Sequence, residues 1–223
     1  MTVEGAETRF TDEVVFTVRK GGWYVTSIES DYWRPIVRTY GSDIKGVEAE
    51  MDADSMLPGV YFAPHSGADG IPGTNDDAAH VPDGVSIPIC TPIQRTQNDV
   101  SNPVCYASNP PTSGPHARSA AAFRFYSSPV PKEMLLHSME HGGVVIWYNT
   151  ADAALIERLR QITESANVSR LLVVAAPYAE MEAETIALTS WTRIDKLPAA
   201  SFDREHVLIF IQKHSRRYNP EGF

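Results

Sequence analysis

The chain of 223 residues has no run of roughly 18 apolar residues, the length a helix needs to cross a bilayer. It has two cysteines only, too few for a four-thiolate metal site or a dense disulfide framework. Basic residues are scarce as well. Nineteen Lys and Arg stand against 28 Asp and Glu, a formal charge of −9, and the one basic cluster is the short Lys213–Arg217 segment. That balance argues against a surface that tracks phosphates, so no nucleic-acid partner is expected. The first thirty residues lack the basic-then-apolar pattern of a secretory leader, so the protein is either cytosolic or begins after a removed leader, and the second is the expectation. There is no G-x-S-x-G nucleophile signature, and Gly41-Ser42-Asp43 is too short for a phosphate loop.

The hydrophobic share of 43% is ordinary for a globular protein, and the length suits one domain or one domain with an appendage. Three stretches differ in character: a β-rich N-terminal appendage (1–50), an Asp/Gly/Pro-rich loop insertion (51–103) and an α/β domain (104–223). In the first, 11–19 and 23–29 are β-rich runs joined by Lys20-Gly21-Gly22, a hairpin signal. Such strands could also pair with another copy, so a homo-oligomer through the N-terminal strands is one expectation. In the last stretch, Pro131 opens a short helix over 131–141 that Gly142 stops. A buried strand at 144–148 and an amphipathic helix at 151–166 follow, the helix with Leu155, Leu159 and Ile162 on one face. Further strands are expected at 171–178 and 186–194, then a closing helix at 202–216 with Val207, Phe210 and Ile211 inward. Apolar strands alternating with helices predict a small mixed sheet flanked by helices, an α/β (or α+β) fold with a loop-rich middle.

Cys90 and Cys105 lie in Pro-rich chain with few other anchors. A bond between them would contribute roughly 3 kcal/mol by loop closure and would point to an extracytoplasmic location, on the cell surface or secreted. The alternative is two unlinked thiols.

The most specific feature is His137-Ser138-Met139-Glu140-His141. On a helix His137 and His141 stand one turn apart on one face, so both imidazoles can reach one ion. The string also matches H-x-x-E-H, in which two histidines bind zinc and the glutamate acts as base. Helix capping accounts for the same residues, since a cation in the last turn meets the helix dipole favourably. A rigid loop, Asn109-Pro-Pro-Thr-Ser-Gly-Pro-His116, can deliver His116 as a third ligand. Zinc and copper both suit imidazole; Met134 and Met139 could add a thioether but suit core packing better.

Together NPPTSGPH (109–116), LLHSMEHGGVVIWY (135–148), VVAAPY (173–178), IALTSWTRI (186–194) and the closing 202–214 segment resemble the 3105 family of domains of unknown function, over residues 104–221. The resemblance implies that His116, His137, Glu140 and His141 form one site, in a protein that is often exported or membrane-tethered. It implies no reaction. The chain departs from the family pattern just after His116, in ARSAAAFRFYSS.

A second cation site is suggested by Asp69, Asn75 and Asp77, which place oxygen donors between glycines as calcium loops do; a solvated turn is the alternative. His65 and His80, flanking that loop, are expected to be exposed loop residues rather than ligands, and His206 and His214 to lie on the surface. Asn167-Val-Ser169 fits a glycosylation sequon, a pattern that three residues match often by chance. Three functional classes follow: an extracytoplasmic copper- or zinc-binding domain with a three-histidine site, a calcium-stabilised structural or self-assembling surface protein, and a zinc hydrolase with Glu140 as base.

Overall fold

The computed structural model describes residues 57–62, 64–68, 77–92 and 104–218 in full, and the backbone of four N-terminal strands. Those strands form two antiparallel pairs: β1 (Thr2–Glu4) with β2 (Arg9–Thr11), and β3 (Val14–Arg19) with β4 (Gly22–Ile28). Arg19 lies opposite Gly22, as the glycine-bearing connection predicts, and the register shifts between Val15 and Phe16.

The other described residues form a mixed α/β unit around a five-stranded sheet. Its strands are β5 (Val60–Tyr61), β8 (Val144–Asn149), β9 (Val173–Pro177), β10 (Thr185–Ser190) and β11 (Arg193–Pro198), in the spatial order β5-β11-β10-β8-β9. Only β8 and β9 run parallel; their crossover is helix α2 (Ala153–Val168), whose first turn is capped by the Asp152 carboxylate accepting from Ala154 N and Leu155 N. Helix α1 (Lys132–Glu140) precedes β8, and helix α3 (Arg204–His214) closes the chain, capped by Asp203.

Alternation along β8 divides its side chains between two cores. Val144, Ile146 and Tyr148 face α2 and α3, packing with Leu155, Leu159, Ile162, Val207, Phe210 and Ile211. Val145 and Trp147 face the other way, toward Leu135, Leu136 and Met139 of α1 and toward Ile87, Tyr106 and Trp191 from irregular chain. Part of the 51–103 stretch is therefore built into the core. That second face also carries a two-stranded parallel piece, β6 (His80–Val81) with β7 (His116–Ala117), and the Cys90–Cys105 disulfide beside the Ile89–Tyr106 bridge.

One expected strand is two. The 186–194 run folds back on itself, Ser190 pairing with Arg193 across Trp191 and Thr192. Neither residue is a turn former, and Thr192 takes φ 64°. Tertiary bonds hold it: Thr192 N donates to Thr112 O at 2.9 Å, and Thr192 O accepts from Phe62 N at 2.9 Å. Two histidines also differ from expectation. His214 is buried, its Nε2 donating to Pro58 O at 2.8 Å while Nδ1 accepts from Arg217 Nε at 3.0 Å. His65 is buried too; Nδ1 accepts from Gly67 N and Nε2 donates to Cys105 O, both at 2.9 Å. Each ring replaces lost water with local backbone or guanidinium partners, which a one-dimensional pattern does not reveal. His206 is exposed, against Asp195. In the sequon, Asn167 uses its whole amide to bond Phe123 O, Val173 O and Val173 N at the end of α2.

Phe210 is fully buried in the core that α2 and α3 share with the sheet, whereas Val168 is 86% exposed. Phe210→Ala is expected to lower unfolding free energy by about 3–5 kcal/mol in urea titration. Val168→Ala should stay within about 0.5 kcal/mol of the parent.

Candidate metal centre

The site forms where α1 crosses the β6–β7 pair. Helix α1 follows Pro131, its N-cap, and ends at Glu140, with His141 as the first residue past it. Gly142 then takes φ 83°, and a Cβ there would lie 3.0 Å from both Arg216 Cα and Tyr218 O, so the turn accepts glycine alone. This helix carries His137 and Glu140, both nearly buried, on the side facing β7. From β7 comes His116, with no exposed surface. The register of the parallel pair sets His80 directly beside His116, their ring centroids 4.8 Å apart.

Four residues, His80, His116, His137 and Glu140, each offer a donor atom within 4.8 Å of the others. Three of these were expected to share a site. His80 was not, and although its side chain is 39% exposed, it belongs to the group. His141, the remaining expected ligand, lies just outside the four but adjoins them: its Nε2 is 2.9 Å from His137 Nε2. For two nitrogens each about 2.0–2.1 Å from one ion, separations of about 2.9–3.4 Å are what right-angle to tetrahedral geometry requires.

The protonation pattern of the rings follows from their backbone partners. His116 Nδ1 lies 2.9 Å from Gly114 O, and His137 Nδ1 lies 2.7 Å from Ala117 O. A carbonyl oxygen only accepts, so each Nδ1 carries a proton and each Nε2 is the nitrogen turned toward the cluster, a lone pair wherever the ring is neutral. Metal-binding histidines are oriented in this way. Gly114 is itself constrained, at φ 126°, where a Cβ would meet the His65 ring at 3.1 Å and Tyr106 at 3.2 Å. Tyr106 OH, in turn, donates to Pro115 O at 2.7 Å. The loop that presents His116 is thus packed from beneath.

His116 Nε2 and Glu140 Oε2 are 2.8 Å apart, within ion-pair range, yet the nitrogen's N–H direction misses the oxygen and neither atom has a hydrogen-bond partner. An imidazole lone pair and a carboxylate oxygen so placed repel one another unless a proton or a metal ion lies between them. His80 Nε2 is a further 3.8 Å from the same oxygen. The donors are nitrogen and oxygen only. Met139 is buried in the core, where its sulfur accepts from Thr189 Oγ1 at 3.1 Å. Of the expected calcium loop, Asp69 and Asn75 lie outside the described residues, and Asp77 is partly buried three positions before His80.

Local signal for His80 is absent: it stands 36 residues from its partner His116, and only the β6–β7 pairing unites them. What the sequence does offer is its setting, a histidine followed by a β-branched residue, His80-Val81, at the end of an Asp-rich loop.

Burial lowers the His137 pKa below the ordinary histidine value, with the neighbouring His116, His141 and His80 adding to the effect and the Ala117 bond opposing it. For a histidine with a depressed folded value, the associated stability is complete above the unfolded pKa of about 6.5 and is lost as pH falls through the lower folded value. Chelator-treated protein should therefore lose unfolding free energy as pH drops below about 6.5. His137→Asn should flatten that part of the profile; an unchanged slope would remove His137 as its source.

The family model described as "Protein of unknown function (DUF3105)" matches residues 97–222, more than half of the chain. Comparison with curated proteins and with solved structures gives no match. Within the matched stretch lie His116, His137, Glu140 and His141; His80 precedes it.

Proposed function

The chain belongs to the DUF3105 family, and we propose that in this member the domain binds one divalent transition-metal ion through His80, His116, His137 and Glu140, with His141 at the margin. The observation that carries this reading is the pair of backbone bonds that hold His116 and His137 as Nδ1–H tautomers, with inward Nε2 lone pairs beside an unpartnered carboxylate oxygen. Helix capping alone does not call for that arrangement, because a helix terminus favours a charged imidazole, not a neutral one.

An all-nitrogen-and-oxygen donor set suits zinc or copper in the divalent state; without a thioether or thiolate, Cu(I) is disfavoured. Zinc-dependent hydrolysis is a second reading, favoured by the exposure of His80, which leaves one side of the site open to solvent. Glu140 would then serve as base through a bound water, although its contact with His116 favours the role of a ligand. The Cys90–Cys105 disulfide supports an extracytoplasmic location, where such bonds persist. Among the described residues no helix is long and apolar enough to cross a membrane.

Purified protein should take up one equivalent of Zn(II) or Cu(II), measured by elemental analysis after desalting, and Cu(II) should displace Zn(II). His116→Ala and His137→Ala should abolish stoichiometric uptake while the circular dichroism spectrum is retained. Glu140→Gln should weaken affinity by roughly 10–100-fold. Full uptake by His116→Ala would defeat the assignment.

A further inference from the structure

We propose that His80 is an exchangeable ligand, so that the domain passes its ion to an incoming carrier ligand instead of keeping it. The inference rests on the metal-binding reading above and concerns how that ion leaves. The donors differ in how firmly they are held. His116 is wholly buried and Glu140 nearly so, and His116 and His137 are each fixed by a backbone carbonyl. His80 is the outlier: its side chain is 39% exposed and its Nε2 is 3.8 Å from Glu140 Oε2, against 2.8 Å for His116. A structural zinc site closes all its ligands into the protein, whereas a site with an open side admits another ligand.

The anchoring of His80 is also slight. Strand β6 has two residues and is attached to β7 by His116 N donating to Ala79 O at 3.0 Å and Arg118 N donating to Val81 O at 3.2 Å. Beyond it the Asp83 carboxylate accepts from Ser119 N at 3.0 Å and from Ser119 Oγ, an exposed clamp across the same two segments. His80 also lies before the family-matched residues, so this ligand comes from a part of the chain separate from the one that carries His116, His137 and Glu140. In the exchange, a donor atom of the carrier forms its bond to the ion as the His80 Nε2–metal bond breaks. The imidazole leaves neutral with its lone pair; no electron moves and the ion's charge is unchanged.

The test uses the whole chain loaded with Zn(II), with release followed into a small chromogenic chelator. The rate should rise in proportion to chelator concentration, as ligand displacement requires. His80→Ala should release Zn(II) on the order of ten times faster while still taking up one equivalent at saturating Zn(II). Asp83→Ala, which touches no proposed ligand, should also release faster, with uptake unchanged. A release rate independent of chelator concentration would overturn the proposal. So would loss of all uptake in His80→Ala, or wild-type release rates in both variants. Failure of the unaltered protein to bind Zn(II) or Cu(II) at all would instead overturn the metal-binding reading itself.

Discussion

Keeping both faces of β8 dry governs how the rest of the domain is arranged, because Val144 through Trp147 have no exposed surface. One face is covered in the usual way by the helices α2 and α3. The other is covered by α1 and by irregular chain, and irregular chain brings polar backbone groups into the interior. Each then needs a partner. Ile87 N finds Glu133 Oε1 at 2.8 Å, Cys90 N finds Tyr106 O at 2.9 Å, and Cys105 O accepts from His65. The histidine cluster arises from the same circumstance, since Gly114 O in the loop and Ala117 O at the end of the two-residue β7 are carbonyls whose partners are imidazoles. The site is a by-product of covering a sheet face with loop, turned to account by leaving the second nitrogen of each ring facing inward.

Much of this was legible in the sequence where the signal is local. The apolar run at 144–148 and the Leu155, Leu159, Ile162 spacing read correctly because period and burial agree there. His137 and Glu140 were legible because a single helix presents both, and His116 because a proline- and glycine-punctuated loop ends on it. What escaped depends on distant pairing. His80 gains its place only through parallel register with His116. The reversal at Trp191 and Thr192 escaped because both residues favour strands, and the bonds that bend the chain come from Thr112 and Phe62. His65 and His214 were misjudged for a related reason: histidine's two nitrogens can satisfy local donors and acceptors in the interior as readily as water does outside.

The cluster is graded from buried to exposed. At its floor, ring orientations are dictated by main-chain carbonyls, which side-chain substitution leaves in place. Toward solvent, donors are held by short, exposed contacts. Selectivity among ions would then be governed by the floor and the speed of loading by the rim, so the two can vary separately. The family-matched stretch contains the floor, and the preceding stretch supplies the rim.

The disulfide has a bearing on the integrity of this arrangement that goes beyond stability. His80 and His116 lie at opposite ends of one connection, and Cys90 and Cys105 lie within it. A single backbone cleavage anywhere between the two cysteines therefore leaves one covalent molecule in which both histidines remain attached, β6 through Cys90 and β7 through Cys105. Once the sulfurs are reduced, the same cleaved chain is two polypeptides, and only noncovalent contacts hold His80 beside His116. Oxidation thus makes the connection redundant, and reduction makes it indispensable.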